Sequence, residues 1–273
     1  MGRRQAVLAA AAAAVLALGV TRVGAERHVA AGSGHVCVVR PDETAECFYD
    51  DLYPDDAGKT AVPGVFSFMG ITAGDDFTCG LVTDGSVQCW GNLPGGIVPD
   101  PTLTFIDIHA GARHVCGLLA DGTVLCYGDA ASGVTSVPSG VYQSISTGTD
   151  VACAVGRDHT IICWGDSNNP IIVPLGMSDA DHVSVGVNHA CYVTTAGGVV
   201  CWGDDSAGQA SVPSSINDVS AVWWLSAGAT STCAISGGSA DNMTPPGYLE
   251  CWGQSTGNWS GGLAYEVACS TWG

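Results

Sequence analysis

A chain of 273 residues with 47% hydrophobic content, 38 Gly, 13 Cys and one Lys can bury a sizeable core, and its length suits a single domain if it is all-β. Only 8 Lys+Arg stand against 26 Asp+Glu, a formal net charge of -18. That balance excludes a general nucleic-acid binder and argues against docking on anionic lipid, because both need a basic surface.

In chain order, residues 1–25 read as an export signal. Arg3 and Arg4 form a basic start, Ala6 to Val20 an apolar run, and Val23-Gly24-Ala25 a small-residue cleavage site before Glu26. The run is shorter than the ~20 residues of a membrane span, although an uncleaved anchor is the competing reading. Cleavage removes Arg3, Arg4 and Arg22 and no acid, so residues 26–273 carry 5 basic and 26 acidic side chains.

From there the chain repeats, and six units share the form Gly-x-x-x-x-Cys, a short spacer, then Cys and an aromatic residue. The first runs GSGHVCVVRPDETAECF from Gly32, followed by the acidic stretch Asp50, Asp51, Asp55 and Asp56 beside Tyr49 and Tyr53. The second is GDDFTCGLVTDGSVQCWG from Gly74, the third GARHVCGLLADGTVLCYG from Gly111, the fourth GTDVACAVGRDHTIICWG from Gly148 and the fifth GVNHACYVTTAGGVVCWG from Gly186. The sixth starts at Gly228 and closes with LECWG after a longer loop from Ser236 to Tyr248; one more apolar strand, Tyr265–Cys269, follows it. Three residues before each leading Gly stands an apolar residue: Val29, Ile71, Ile108, Ile145, Val183 and Leu225. Within a unit the pattern has strand period. Asp121-Gly122 turns the third, and Gly85, Gly122 and Gly197 share one position, which suits a three-residue hairpin loop ending in a left-handed residue. Glu43 and His159 stand at that position in the first and fourth units, so those loops differ or carry strain. Short strands at about forty-residue spacing predict an all-β propeller of six or seven four-stranded blades.

Five cysteine pairs have one spacing: Cys37–Cys47, Cys79–Cys89, Cys116–Cys126, Cys153–Cys163 and Cys191–Cys201. The hairpin loop puts Cys116 opposite Cys126, within disulfide reach. The sixth pair, Cys233–Cys251, has eight extra residues, an even number that lets the same faces meet. Oxidised pairs fit an exported chain, while zinc ligation and reduced core thiols are the other readings. Cys269 is left over: free, paired between chains, or marking a seventh unit.

Units such as IHAGARHVCGLLADGTVLCYG and VSVGVNHACYVTTAGGVVCWGDDSAGQ resemble repeats of the regulator of chromosome condensation (RCC1) type, over about residues 27–273. The resemblance implies a β-propeller, usually of seven blades. The Cys-bearing version is similar to exported bacterial members and to ectodomains of some plant receptor kinases. Nuclear exchange on chromatin, the role of the founding member, fits neither the charge nor the export signal.

His35, His114 and His189 recur two residues before the first Cys, so they read as structural, bonding blade backbone. Trp90, Trp164, Trp202 and Trp252, with Phe48 and Tyr127 in the same place, read as packing between blades. Departures from the repeat are the candidate binding residues: Trp223 and Trp224, and Met243 and Tyr248 in the long sixth loop. One of the two tryptophans should point outward on an alternating strand. Calcium at the acidic stretch competes with a solvated rim. No nucleophile elbow, His-Glu-x-x-His or phosphate loop occurs. The expectation is an exported, secreted or periplasmic, non-enzymatic module without cofactor or metal. It binds another, basic protein through rim loops; a carbohydrate-binding propeller and a hydrolase built at the central channel are the alternatives.

Overall fold

A computed structural model describes residues 29–49, 58–64, 66–96, 99–166, 171, 173–174, 177–217, 222–237, 247–254 and 260–264. The export signal, the acidic stretch 50–56, Met243 and Cys269 lie outside the described residues. The first sheet is β1 (Val29–Ala31), β2 (His35–Val39) and β3 (Ala45–Tyr49), and the second β4 (Phe68–Ala73), β5 (Phe77–Val82) and β6 (Val87–Gly91). The third is β7 (Phe105–Ala110), β8 (His114–Leu119) and β9 (Val124–Gly128), and the fourth β10 (Tyr142–Thr147), β11 (Val151–Gly156) and β12 (Ile161–Gly165). The fifth is β13 (Ala180–Val185), β14 (His189–Thr194) and β15 (Val199–Gly203). The sixth adds a fourth strand: β16 (Val222–Ala227), β17 (Ser231–Ser236), β18 (Gly247–Gly253) and β19 (Ser260–Ala264). All are antiparallel and ordered as in the chain.

The expected four strands per blade are met only in the sixth sheet; the other five have three among the described residues. The link 129–141 shows why. Its turns are closed by Gly133 N–H to the Ala130 carbonyl and Ser136 N–H to the Gly133 carbonyl, and Pro138 supplies no N–H for a ladder. The link after the fifth sheet turns likewise and includes one helical turn, Ser214–Asn217.

The middle strands are buried along most or all of their length, entirely so in Val151–Gly156, because neighbouring sheets pack against them. The outer strands alternate: in β12 Ile161 is buried and Ile162 exposed. Consecutive sheets share cores. Trp90 of the second sheet packs with Ala30, Cys37 and Val39 of the first, and Trp202 of the fifth with Val151 and Val155 of the fourth. Trp252 of the sixth joins Cys191 and Val193 of the fifth. The tryptophans therefore pack between blades, as the repeat implied.

Six disulfides pin the β-hairpins at the expected pairs, with directly opposed Cα atoms 4.0–4.1 Å apart. The register holds through the longer sixth hairpin, where Ser236 still pairs with Tyr248. The hairpin tips bear out the turn reading. Gly85, Gly122 and Gly197 have positive φ, and Glu43 (φ 66) and His159 (φ 64) adopt the same conformation at a cost. The strain has a use. The carbonyl of this residue accepts the first strand N–H of the next sheet at all five junctions: Phe68 on Glu43, Phe105 on Gly85, Tyr142 on Gly122, Ala180 on His159 and Val222 on Gly197, at 2.8–3.1 Å.

The leading glycines answer a different need. A Cβ on Gly32 would overlap the Gly74 carbonyl oxygen, and the same holds for Gly74 with Gly111, Gly111 with Gly148, Gly148 with Gly186, and Gly186 with Gly228. Backbones of neighbouring sheets meet there too closely for a side chain. Next to this line, Thr72, Ser146 and Ser184 hydroxyls accept N–H bonds from Ala110, Val185 and Ala227 of the following sheet.

Candidate functional site

Between sheets the histidines form a relay. His35 Nε2 lies 2.9 Å from Thr78 Oγ1 in the next sheet, and His189 Nε2 lies 2.8 Å from Thr232 Oγ1. Each threonine hydroxyl then donates to a link carbonyl, Lys59 or Gln209, which also takes the indole N–H of Trp90 or Trp252. These histidines are structural, but their partner is a threonine hydroxyl rather than blade backbone. In the fourth sheet Ala152 replaces that threonine, and His114 Nε2, buried, has no hydrogen-bond partner among the described residues. Burial pushes His114 down to about 4. It does the same to His189, to about 4, against the pull of Asp204 and Asp205. Neutral, interior imidazoles of this kind fill the seam between neighbouring sheets.

The single lysine is also interior. Lys59 Nζ donates to the carbonyls of Ser33 and Asp75 and pairs with Asp76 at 3.2 Å. The other described cations are engaged too: Arg40 with Glu46, Arg113 with Asp129, and Arg157 with the Asp121 carbonyl. The described surface offers carboxylates without free cations among them. Asp42, Asp84, Asp121 and Asp158 stand at the hairpin tips of the first four sheets. Hydrogen bonds from Thr44, Ser86, Thr123 and Thr160 hold these carboxyls below the usual range.

The same end of the sheets carries a feature that sequence reasoning missed. In each of the second to sixth sheets the first strand bulges, skipping Met69, Ile106, Gln143, Asp181 and Trp223 in the pairing with the middle strand. A bulge frees one residue from the ladder and re-aims its side chain. Ile106 is 51% exposed, Gln143 and Asp181 are exposed, and Met69 and Trp223 are half-buried. Each lies five residues before its leading Gly, where residue type varies from unit to unit, as it also does at the next position, so the sequence does not mark which of the two leaves the ladder.

The expected binding residues fall at or near this end. Trp223 is the bulged residue of the sixth sheet, with its indole N–H on the Gly237 carbonyl at 2.9 Å. Trp224 stays in the ladder opposite Ile235 and is half-buried, so the bulge rather than simple alternation separates the pair. Tyr248 is 65% exposed, and its ring edge would touch a Cβ built on Gly237. Trp223 and Tyr248 thus flank one glycine, whereas Met243 lies outside the described residues. Among the described residues no group of His, Cys, Asp or Glu is placed to hold a metal ion, and no helix is long and apolar enough to cross a membrane.

Three stretches, 70–92, 105–133 and 180–209, match the family model of the regulator of chromosome condensation (RCC1) repeat. They coincide with the second, third and fifth sheets. No curated protein matches the sequence. Among solved structures, the ectodomain of the Arabidopsis thaliana receptor kinase ACR4 is similar at 22% identity and a TM-score of 0.69, over 89% of this chain and 88% of that one. The ectodomain of the Physcomitrella patens receptor kinase CR4 is similar at 23% identity and TM-score 0.73, over 90% of this chain and 68% of that one. Prp20p of Saccharomyces cerevisiae, studied for its binding to Gsp1p and histones, is similar at 13% identity and TM-score 0.66, over 82% and 71%. With repeat, register and overall likeness in agreement, this chain carries RCC1-type repeats on an RCC1-like β-propeller scaffold.

Proposed function

We propose that this chain is an exported, non-enzymatic propeller that binds another protein through one rim, with Trp223, Trp224, Met243 and Tyr248 as contact residues. The observation that carries it is the division of labour within the blades. The disulfides hold each hairpin, and the leading glycines and the His–Thr relay hold blade to blade, so what varies from blade to blade stands at the rim. The relatives support a binding role, since Prp20p binds Gsp1p and histones, and Kap60 is bound to yeast RCC1 (Prp20). Six disulfides and the receptor-ectodomain likeness support an oxidising, extracytoplasmic address for the expected leader 1–25. Engaged cations and an acidic surface favour a basic partner.

The test is capture. The oxidised chain is immobilised, exposed to the extracellular or periplasmic fraction of its source, and the retained proteins are identified. One or a few basic proteins, lost on Tyr248→Ala or on deletion of 238–246, support the reading. Capture unchanged by those variants removes those residues from the site, and no retained protein at any salt concentration removes the function.

A further inference from the structure

Resting on that reading, the geometry points to the place and chemistry of recognition: the bulged residues Met69, Ile106, Gln143, Asp181 and Trp223 form one arc that takes an extended segment of a partner protein bearing apolar and basic side chains. Two bulges of the arc, in the fourth and fifth sheets, are in direct contact: Gln143 Nε2 donates to the Asp181 carbonyl at 3.2 Å. The five junction bonds from hairpin tip to next first strand hold the bulges at fixed spacing. The bulge is conserved in geometry in five blades while its residue changes from Met to Ile, Gln, Asp and Trp. Ile106, Gln143 and Asp181 stand exposed outside the ladder and are free to be chosen for a partner, while Met69, packed against the core, and half-buried Trp223 bound the arc at its two ends.

The occupant follows from the chemistry of the arc and its border. Ile106 and Val141 are each 51% exposed, an apolar pair on neighbouring blades. Trp223 supplies an aromatic end. Between them Asp181 projects a carboxylate held below the usual range, first by its bond from His182. The hairpin-tip carboxylates line the same end, and its two described arginines are already engaged, Arg40 by Glu46 and Arg157 by the Asp121 carbonyl. A chain of net charge -18 repels an acidic segment and draws a basic one.

Panning a displayed random dodecapeptide library on the immobilised, oxidised full chain tests this. The expected result is enrichment of peptides that combine Lys or Arg with Leu, Ile or Phe. Ile106→Glu and Asp181→Lys should each weaken their binding by about tenfold. Asn188→Lys, exposed in a turn at the other end of the fifth blade, should leave binding within about twofold. Far-UV spectra and free-thiol counts confirm that each variant is folded and oxidised. Enrichment of acidic peptides, no enrichment, or binding indifferent to both arc variants overturns the arc. A protein captured from the source fraction and still retained by Ile106→Glu and Asp181→Lys overturns the arc alone and leaves the protein-binding role standing.

Discussion

His114 is a misfit whose neighbours explain it. Its imidazole lies over Gly111, as the rings of His35 and Phe77 lie over Gly32 and Gly74. The threonine that serves His35 and His189 is Ala152 here. Phe77 shows that an apolar ring fills the same place, so His114→Phe should keep the packing and remove a buried, unpartnered nitrogen, with gain or neutrality in urea stability. The pH response has a definite sign. The folded pKa values of His114 and His189, about 4, lie below the unfolded value of 6.5, so the unfolded chain takes up protons first as pH falls. Stability is full above about pH 6.5 and declines toward pH 4, by at most about 3 kcal/mol per histidine. Asp75, whose carboxyl is raised by burial and by Asp76, works in the opposite direction over its own titration. Urea midpoints from pH 7 to 4 should fall in the native chain and fall less in His114→Phe; equal slopes would place the acid sensitivity elsewhere. Glu43, like His159, is held in a strained left-handed conformation. Glu43→Gly keeps the carbonyl that Phe68 needs and relieves a left-handed side chain, worth about 1 kcal/mol in the midpoint.

Each β-hairpin is a pinned unit, and joining it to the next demands more than pinning. The disulfide closes the hairpin between its middle and outer strands, while the junction is made by the first strand through the leading glycine, the tip carbonyl and a hydroxyl. Gly111→Ala separates the two roles. Its methyl would meet both the Gly148 carbonyl and the His114 ring, neither of which can move without parting the sheets. A loss of about 3 kcal/mol or more is expected, with all six disulfides still formed. Hydrogen exchange should then quicken at the junction of the third and fourth sheets before it quickens within either hairpin. Uniform loss of protection would show that hairpin and junction fold as one.

The whole molecule is held by repeated local joints under a large negative charge. Salt screens the repulsion among exposed carboxylates, and the described cations are already engaged. Raising salt from low to physiological strength should therefore increase the urea midpoint. The same salt should slow association with a basic partner by tenfold or more, roughly, because long-range attraction is what accelerates the encounter. Opposite signs for stability and association rate are the expected signature. A partner whose rate ignores salt is not drawn by this charge.

Much was legible in the residues alone because strand period, turn chemistry and cysteine spacing are local. The spacing of ten between cysteines, with the tip at Gly122, suffices to oppose Cys116 and Cys126, since register in a short hairpin is set by its own turn. Even the strain at Glu43 and His159 was visible as a missing glycine. Tertiary structure alone decided what the leading glycines do, because the oxygen that excludes their side chains belongs to a unit about forty residues away in sequence. It also assigned the histidines to threonines of the following blade. And it showed that Trp223 is one of five bulged residues rather than a lone irregularity: a bulge is a mismatch between two strands, and neither strand's sequence states it.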